Sequence, residues 1–163
     1  MVKWVQRTSR YLMHSAWPLI AFQPVLYLFV WGACIRIWLD KSYKPPAFEK
    51  LFGTSEFYHV WMSIGLITPI VSLAAWVMIR FCSGRVRFNG MWLRLAADIG
   101  MFTCLLTYHV ALMMTVSEVN ARPFARYLQG ATLIFVLLLV IRDVWTLVLT
   151  ERLARYIHDA EGS

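Results

Sequence analysis

Two acids and two arginines lie within or beside long apolar stretches, where charge is expensive. Asp98 sits in the apolar run Trp92–Val116, with Arg94 one helical turn before it, and Arg142-Asp143 interrupts the apolar run Leu128–Leu149. An ion left alone in hydrocarbon costs several kcal/mol, so such groups are expected to pair, to face water, or to serve a purpose. Asp98 is about six residues from one end of its run and Asp143 about six from the corresponding end of the next. With a rise of about 1.5 Å per residue, both fall roughly 9 Å inside the apolar layer, close to Arg142.

Adjacent helical positions point about 100° apart, so one of Arg142 and Asp143 can clasp Asp98 while the other faces a further helix or a partner. Arg94 can also reach Asp98 along its own helix. The set Arg94, Asp98, Arg142 and Asp143 therefore reads first as a structural clamp and second as a partner-binding determinant. A proton or ion pathway comes third, because one cluster is not a pathway.

His59 and His109 raise a different chemistry. Imidazoles from facing helices can ligate one haem axially, and helix bundles hold cofactors in this way. Their expected depths differ by several ångströms, however, and lone hydrogen-bonded histidines are commoner, so no cofactor is assigned and haem is kept as an alternative. Thr103 and Thr107 share a helix face and are expected to hydrogen-bond back to the backbone or to bridge helices. Cys34, Cys82 and Cys104 are odd in number and dispersed. They make neither a disulfide framework nor a metal motif, and read as ordinary thiols. There is no HExxH, GxSxG or phosphate-cradling glycine loop, and no catalytic residue is assigned.

Four apolar segments must position these groups: Tyr11–Trp38, Phe57–Ile79, Trp92–Val116 and Leu128–Leu149. Each meets the roughly 20 helical residues that a hydrocarbon layer requires. In a chain of 163 residues, 60% hydrophobic and 15% charged, no soluble core could hide all four. The expected fold is an all-α, polytopic integral membrane protein with four transmembrane helices. It forms a single domain over residues 1–163, with a short interfacial segment at Met1–His14 and a helical tail from Glu151. The first segment is long and contains Pro18 and Pro24, so it is expected to remain as a crossing rather than act as a cleaved signal. Pro69 falls mid-segment, where Thr68 or Ser72 can relieve the altered backbone. Gly65, Gly100 and Gly130 permit close helix approach without building a GxxxG repeat, and Ala74, Ala75, Ala96 and Ala97 offer further narrow surfaces.

The formal charge of +7 gathers at segment ends, as anionic headgroups favour, and no nucleic-acid partner is called for. With a cytoplasmic amino terminus, nine basic residues fall inside and five outside, or six with Arg36. That contrast predicts a multi-pass protein with both termini cytoplasmic, and a bacterial inner membrane is the expected location. Arg80, Arg85 and Arg87 are expected to bind lipid headgroups from a short hairpin-like element over Arg80–Gly90 that places Phe88 in the interface. The Asp40–Glu56 connector, with Lys44-Pro45-Pro46, is expected to be an exposed loop open to a partner. Ser117–Ala121 leads to a helix beginning at or just beyond Pro123.

The leading functional expectation is a non-enzymatic membrane interaction protein: an accessory, assembly, regulatory or exclusion factor. It would act by lateral helix packing on another membrane protein or on a second copy of itself. A haem-binding electron-transfer subunit and an oligomeric pore-forming or holin-like protein are the alternatives.

Overall fold

The computed structural model describes residues 17–40, 55–115 and 123–161. They form four α-helices: α1 Trp17–Leu39, α2 Ser55–Phe81, α3 Gly84–Thr115 and α4 Pro123–Glu161, with no strand among the described residues. Each helix is long and apolar enough to cross a membrane. In lipid every backbone N–H and C=O needs a partner within its own segment, which makes continuous helices the solution for such sequences. The interfacial segment Met1–His14, most of the Asp40–Glu56 connector and Ser117–Ala121 lie outside the described residues. The tail after Glu151 continues α4 as helix through Glu161.

Pro24 and Pro69 lie inside α1 and α2 without ending them. Pro69 deprives the Gly65 carbonyl of its usual amide donor. One residue earlier, the Thr68 hydroxyl donates to the Ile64 carbonyl at 2.6 Å and supports the adjoining turn.

The expected hairpin-like element over Arg80–Gly90 is not what forms. The Cys82 amide donates to the Met78 carbonyl at 3.1 Å to close the end of α2, Gly84 takes a left-handed φ of 58°, and α3 begins there. Only the residues around Gly84 break the helical ladder, because glycine adopts that φ without a Cβ clash. Gly90, the last residue of that expected element, lies inside α3. A Cβ there would stand 2.9 Å from the Met78 Cβ and 3.3 Å from the Ala75 carbonyl oxygen, so Gly90 serves close packing instead.

The order is up-down-up-down, with α3 in the centre against α2 and α4, and α1 running parallel to α3 and packed on α2. One buried cluster joins Leu26 and Tyr27 of α1, Met101 and Leu105 of α3, and Val136 of α4; a second joins Trp61 and Met62 of α2 to Cys104 of α3. Close approach falls at Gly65 and Gly100, where an added Cβ would meet Cys34 Sγ at 2.5 Å and Thr68 Oγ1 at 3.0 Å respectively. At Gly130 the contact would be an ordinary 3.7 Å. Ala75 and Ala97 are buried, whereas Ala74 and Ala96 face outward. Large apolar side chains such as Phe29, Leu73, Ile134 and Trp145 also face outward. Hydrocarbon solvates them as well as a protein core would.

Candidate functional site

The polar interior is assembled by three helices. Gln23 and Tyr27 are one turn apart on α1, Arg94 and Asp98 are one turn apart on α3, and Arg142-Asp143 lies on α4. The ion pairs cross between helices: Arg142 Nη2 stands 3.6 Å from Asp98 Oδ2, and Arg94 Nε stands 3.1 Å from Asp143 Oδ2. Arg142 also folds back on its neighbour, with Nε and Nη2 each 2.7 Å from Asp143 Oδ1. Arg94 thus forms its ion pair with Asp143 on the facing helix, not with Asp98 in its own turn. This arrangement gives each acid an arginine from the opposite helix and ties α3 to α4 twice.

Gln23 is the hinge of the network. Its Nε2 donates to Asp98 Oδ1 at 2.7 Å, while its Oε1 lies 3.3 Å from the donor Arg94 Nη2 and 3.4 Å from Arg142 Nη2. An amide can serve an acid and two cations at once because one end only accepts and the other only donates. The Tyr27 hydroxyl donates to the same Asp98 oxygen. Asp98 is wholly buried and Asp143 nearly so, with the arginine side chains 23% and 17% exposed for Arg94 and Arg142. Two cations and two anions leave the cluster formally neutral, which is what a low-dielectric interior demands.

Arg87 precedes Asp98 by eleven residues and Arg152 follows Asp143 by nine. These spacings correspond to roughly 14–17 Å along a helix. Losing one partner of such a buried pair costs about 3–5 kcal/mol, whereas replacing a whole set by apolar groups is often neutral.

His59 and His109 are not brought together. Gly65 of α2 packs against Cys104 of α3, and Gly100 of α3 against Thr68 of α2, a register that sets the two histidines at similar height and corrects the expected difference in depth. What separates them is direction. His59 is exposed on α2 beside Tyr58, whereas the His109 ring lies over Gly130 of α4. Among the described residues no three His, Cys, Asp or Glu side chains converge as a metal site.

Arg80, Arg85 and Arg87 are all exposed around the α2–α3 turn, at the same end of the bundle as exposed Arg152 and Arg155. Trp76, Phe81 and Trp92 are exposed nearby. Thr103 and Thr107 return their hydroxyls to the carbonyls of Ile99 and Thr103, at 2.9 and 2.8 Å. Sequence reasoning placed neither Gln23 nor Tyr27 in this network. The available signal was a lone amide inside an apolar run with a phenol one turn later, since a polar side chain in lipid seeks a partner on its own face.

Fold and site together define an all-α bundle of four membrane-length helices whose central charges pair with one another, while Asp98 Oδ2, Asp143 Oδ2 and Arg142 Nη1 are buried without a hydrogen bond among the described residues. No family model matches the chain, nor does any curated protein or solved structure.

Proposed function

We propose that this chain is a non-enzymatic membrane interaction protein, an accessory, assembly, regulatory or exclusion factor that works by lateral helix packing. Its partner is another membrane protein or a second copy of the chain. The observation that carries this reading is the division of its surfaces: the central polar groups bind one another, while bulky apolar side chains cover the outward faces of every helix. Arg94, Asp98, Arg142 and Asp143 act as the clamp that holds α1, α3 and α4 in register, and so fix the shape offered to a partner. Arg80, Arg85 and Arg87 hold anionic headgroups on the cytoplasmic side of a bacterial inner membrane, where both termini lie.

The alternatives draw less support. Leu26, Met101, Leu105 and Val136 form an apolar block beside the ionic network, which argues against an ion path through a single chain. A haem held by both histidines would need His59 and His109 on one face. The deciding experiment is isolation of the native protein in mild detergent, with partner identification and an absorption spectrum on the same sample. A defined membrane partner or discrete oligomer, weakened in an Asp98→Asn protein, is expected. A haem band lost on changing His59 or His109 would replace this reading, and a correctly inserted monomer with no partner would remove its basis.

A further inference from the structure

A second convergence of side chains lies apart from the ionic network, where α1, α2 and α3 meet. Cys34 of α1 and Cys104 of α3 are each 1% exposed, and their sulfurs close over Gly65 of α2 from two sides. A Cβ on Gly65 would stand 2.5 Å from one sulfur and 3.5 Å from the other. Two thiols distant in sequence therefore share the space above one glycine, close enough for a pair of metal–sulfur bonds of about 2.3 Å each to be made with small side-chain adjustments. Met62, one turn before Gly65, belongs to the same buried cluster as Cys104 and brings a thioether. The Trp61 indole N–H is already held by the Cys104 carbonyl.

We infer that Cys34 and Cys104, assisted by Met62, form a buried binding site for a soft monovalent cation, namely Cu(I). Thiolate and thioether sulfur select Cu(I) among biological metals. Structural Zn(II) is a poor match, since it takes four ligands in a tetrahedron, whereas Cu(I) accepts two or three. Charge points the same way: one thiol loses its proton to solvent as its sulfur bonds the metal, and the second thiol and the thioether donate while neutral. The loaded site then carries no net charge, as an apolar interior requires. Cys82 is exposed at the end of α2 and takes no part. Simple packing of two small apolar side chains against glycine is the competing account, and the two differ in what the purified protein retains.

The test is anaerobic titration of the full chain in detergent with Cu(I), supplied as its acetonitrile complex, against a coloured Cu(I) chelator. One Cu(I) per chain is expected to resist the chelator, with at least tenfold weaker retention in C34S and in C104S, a smaller loss in Met62→Leu, and none in C82S. X-ray absorption of the loaded wild-type protein should show sulfur neighbours alone. No retained copper in the wild type, equal retention in a C34S/C104S double variant, or nitrogen and oxygen neighbours would overturn the assignment. If the cysteine variants fail to fold, the absorption spectrum of the wild type decides by itself.

Discussion

α1 is held to the bundle by two regions of opposite character. Toward its amino-terminal half, Gln23 and Tyr27 enter a neutral ionic network with α3 and α4; toward its carboxy-terminal half, Cys34 presses onto Gly65 of α2. The first contact is directional and fixes register through charge and hydrogen bonds. The second is steric and fixes distance through the absence of a side chain. In lipid the hydrophobic effect does little to draw helices together, so a membrane bundle relies on these two devices in place of a general drive to collapse. They differ in how damage should be repaired: charge restores a polar lock, and volume restores a steric one.

Asp98→Asn should have the largest effect. It removes one of two acids from the neutral cluster and leaves Arg142 without its cross-helix partner. A loss of about 3–5 kcal/mol follows for a buried pair broken on one side. Reversible unfolding in mixed micelles, together with abundance in the membrane, reads this out. The Asp98→Arg/Arg142→Asp exchange should recover part of the loss, whereas no volume change at Gly65 should. Normal stability in Asp98→Asn would show that the network does not hold α1 in place.

Gly65→Ala comes next, at about 1–3 kcal/mol for an overpacked contact, because its new methyl group would fall 2.5 Å from Cys34 Sγ. Combining it with Cys34→Ala should return most of the stability, as the clashing sulfur is gone. A double variant as unstable as Gly65→Ala alone would mean that the steric account names the wrong neighbour. Smaller again is Trp61→Phe, which keeps the stacked ring against Tyr108 but loses the N–H bond to the Cys104 carbonyl. One net hydrogen bond is worth about 1 kcal/mol, to be measured in the same unfolding assay.

These two locks were unequally legible in the sequence. Four long apolar runs dictate four helices, because lipid leaves the backbone no other way to satisfy itself. The likeness in depth of Asp98 and Arg142 followed from helical rise alone. Gln23 escaped notice because hydropathy reads one amide in an apolar run as a blemish, and its partner lies 75 residues away across a helix crossing that local pattern does not encode. The α2–α3 turn misled in the opposite way. Arg85 and Arg87 are too polar to extend a hydrophobic run, yet they continue α3, since helix formation depends on backbone geometry and not on apolarity. Gly90 looks like a turn residue until Met78 and Ala75 are seen against it. Glycine in a sequence signals either freedom of backbone or lack of volume, and only the packed neighbour distinguishes them.

Thr103→Val and Thr107→Val mark the lower end of the scale. Both hydroxyls bond carbonyls of their own helix, one turn back. Those carbonyls keep their helical amide partners when the hydroxyl is removed, so nothing buried is orphaned. Each change should fall within about 0.5 kcal/mol, and the double variant should keep the register of α3 against α2 and α4. If the pair instead lost association with a native partner while unfolding normally, the outward face of α3 that carries Thr103 would become the contact surface. A polar bond that serves only its own helix in isolation would then be a bond the partner borrows.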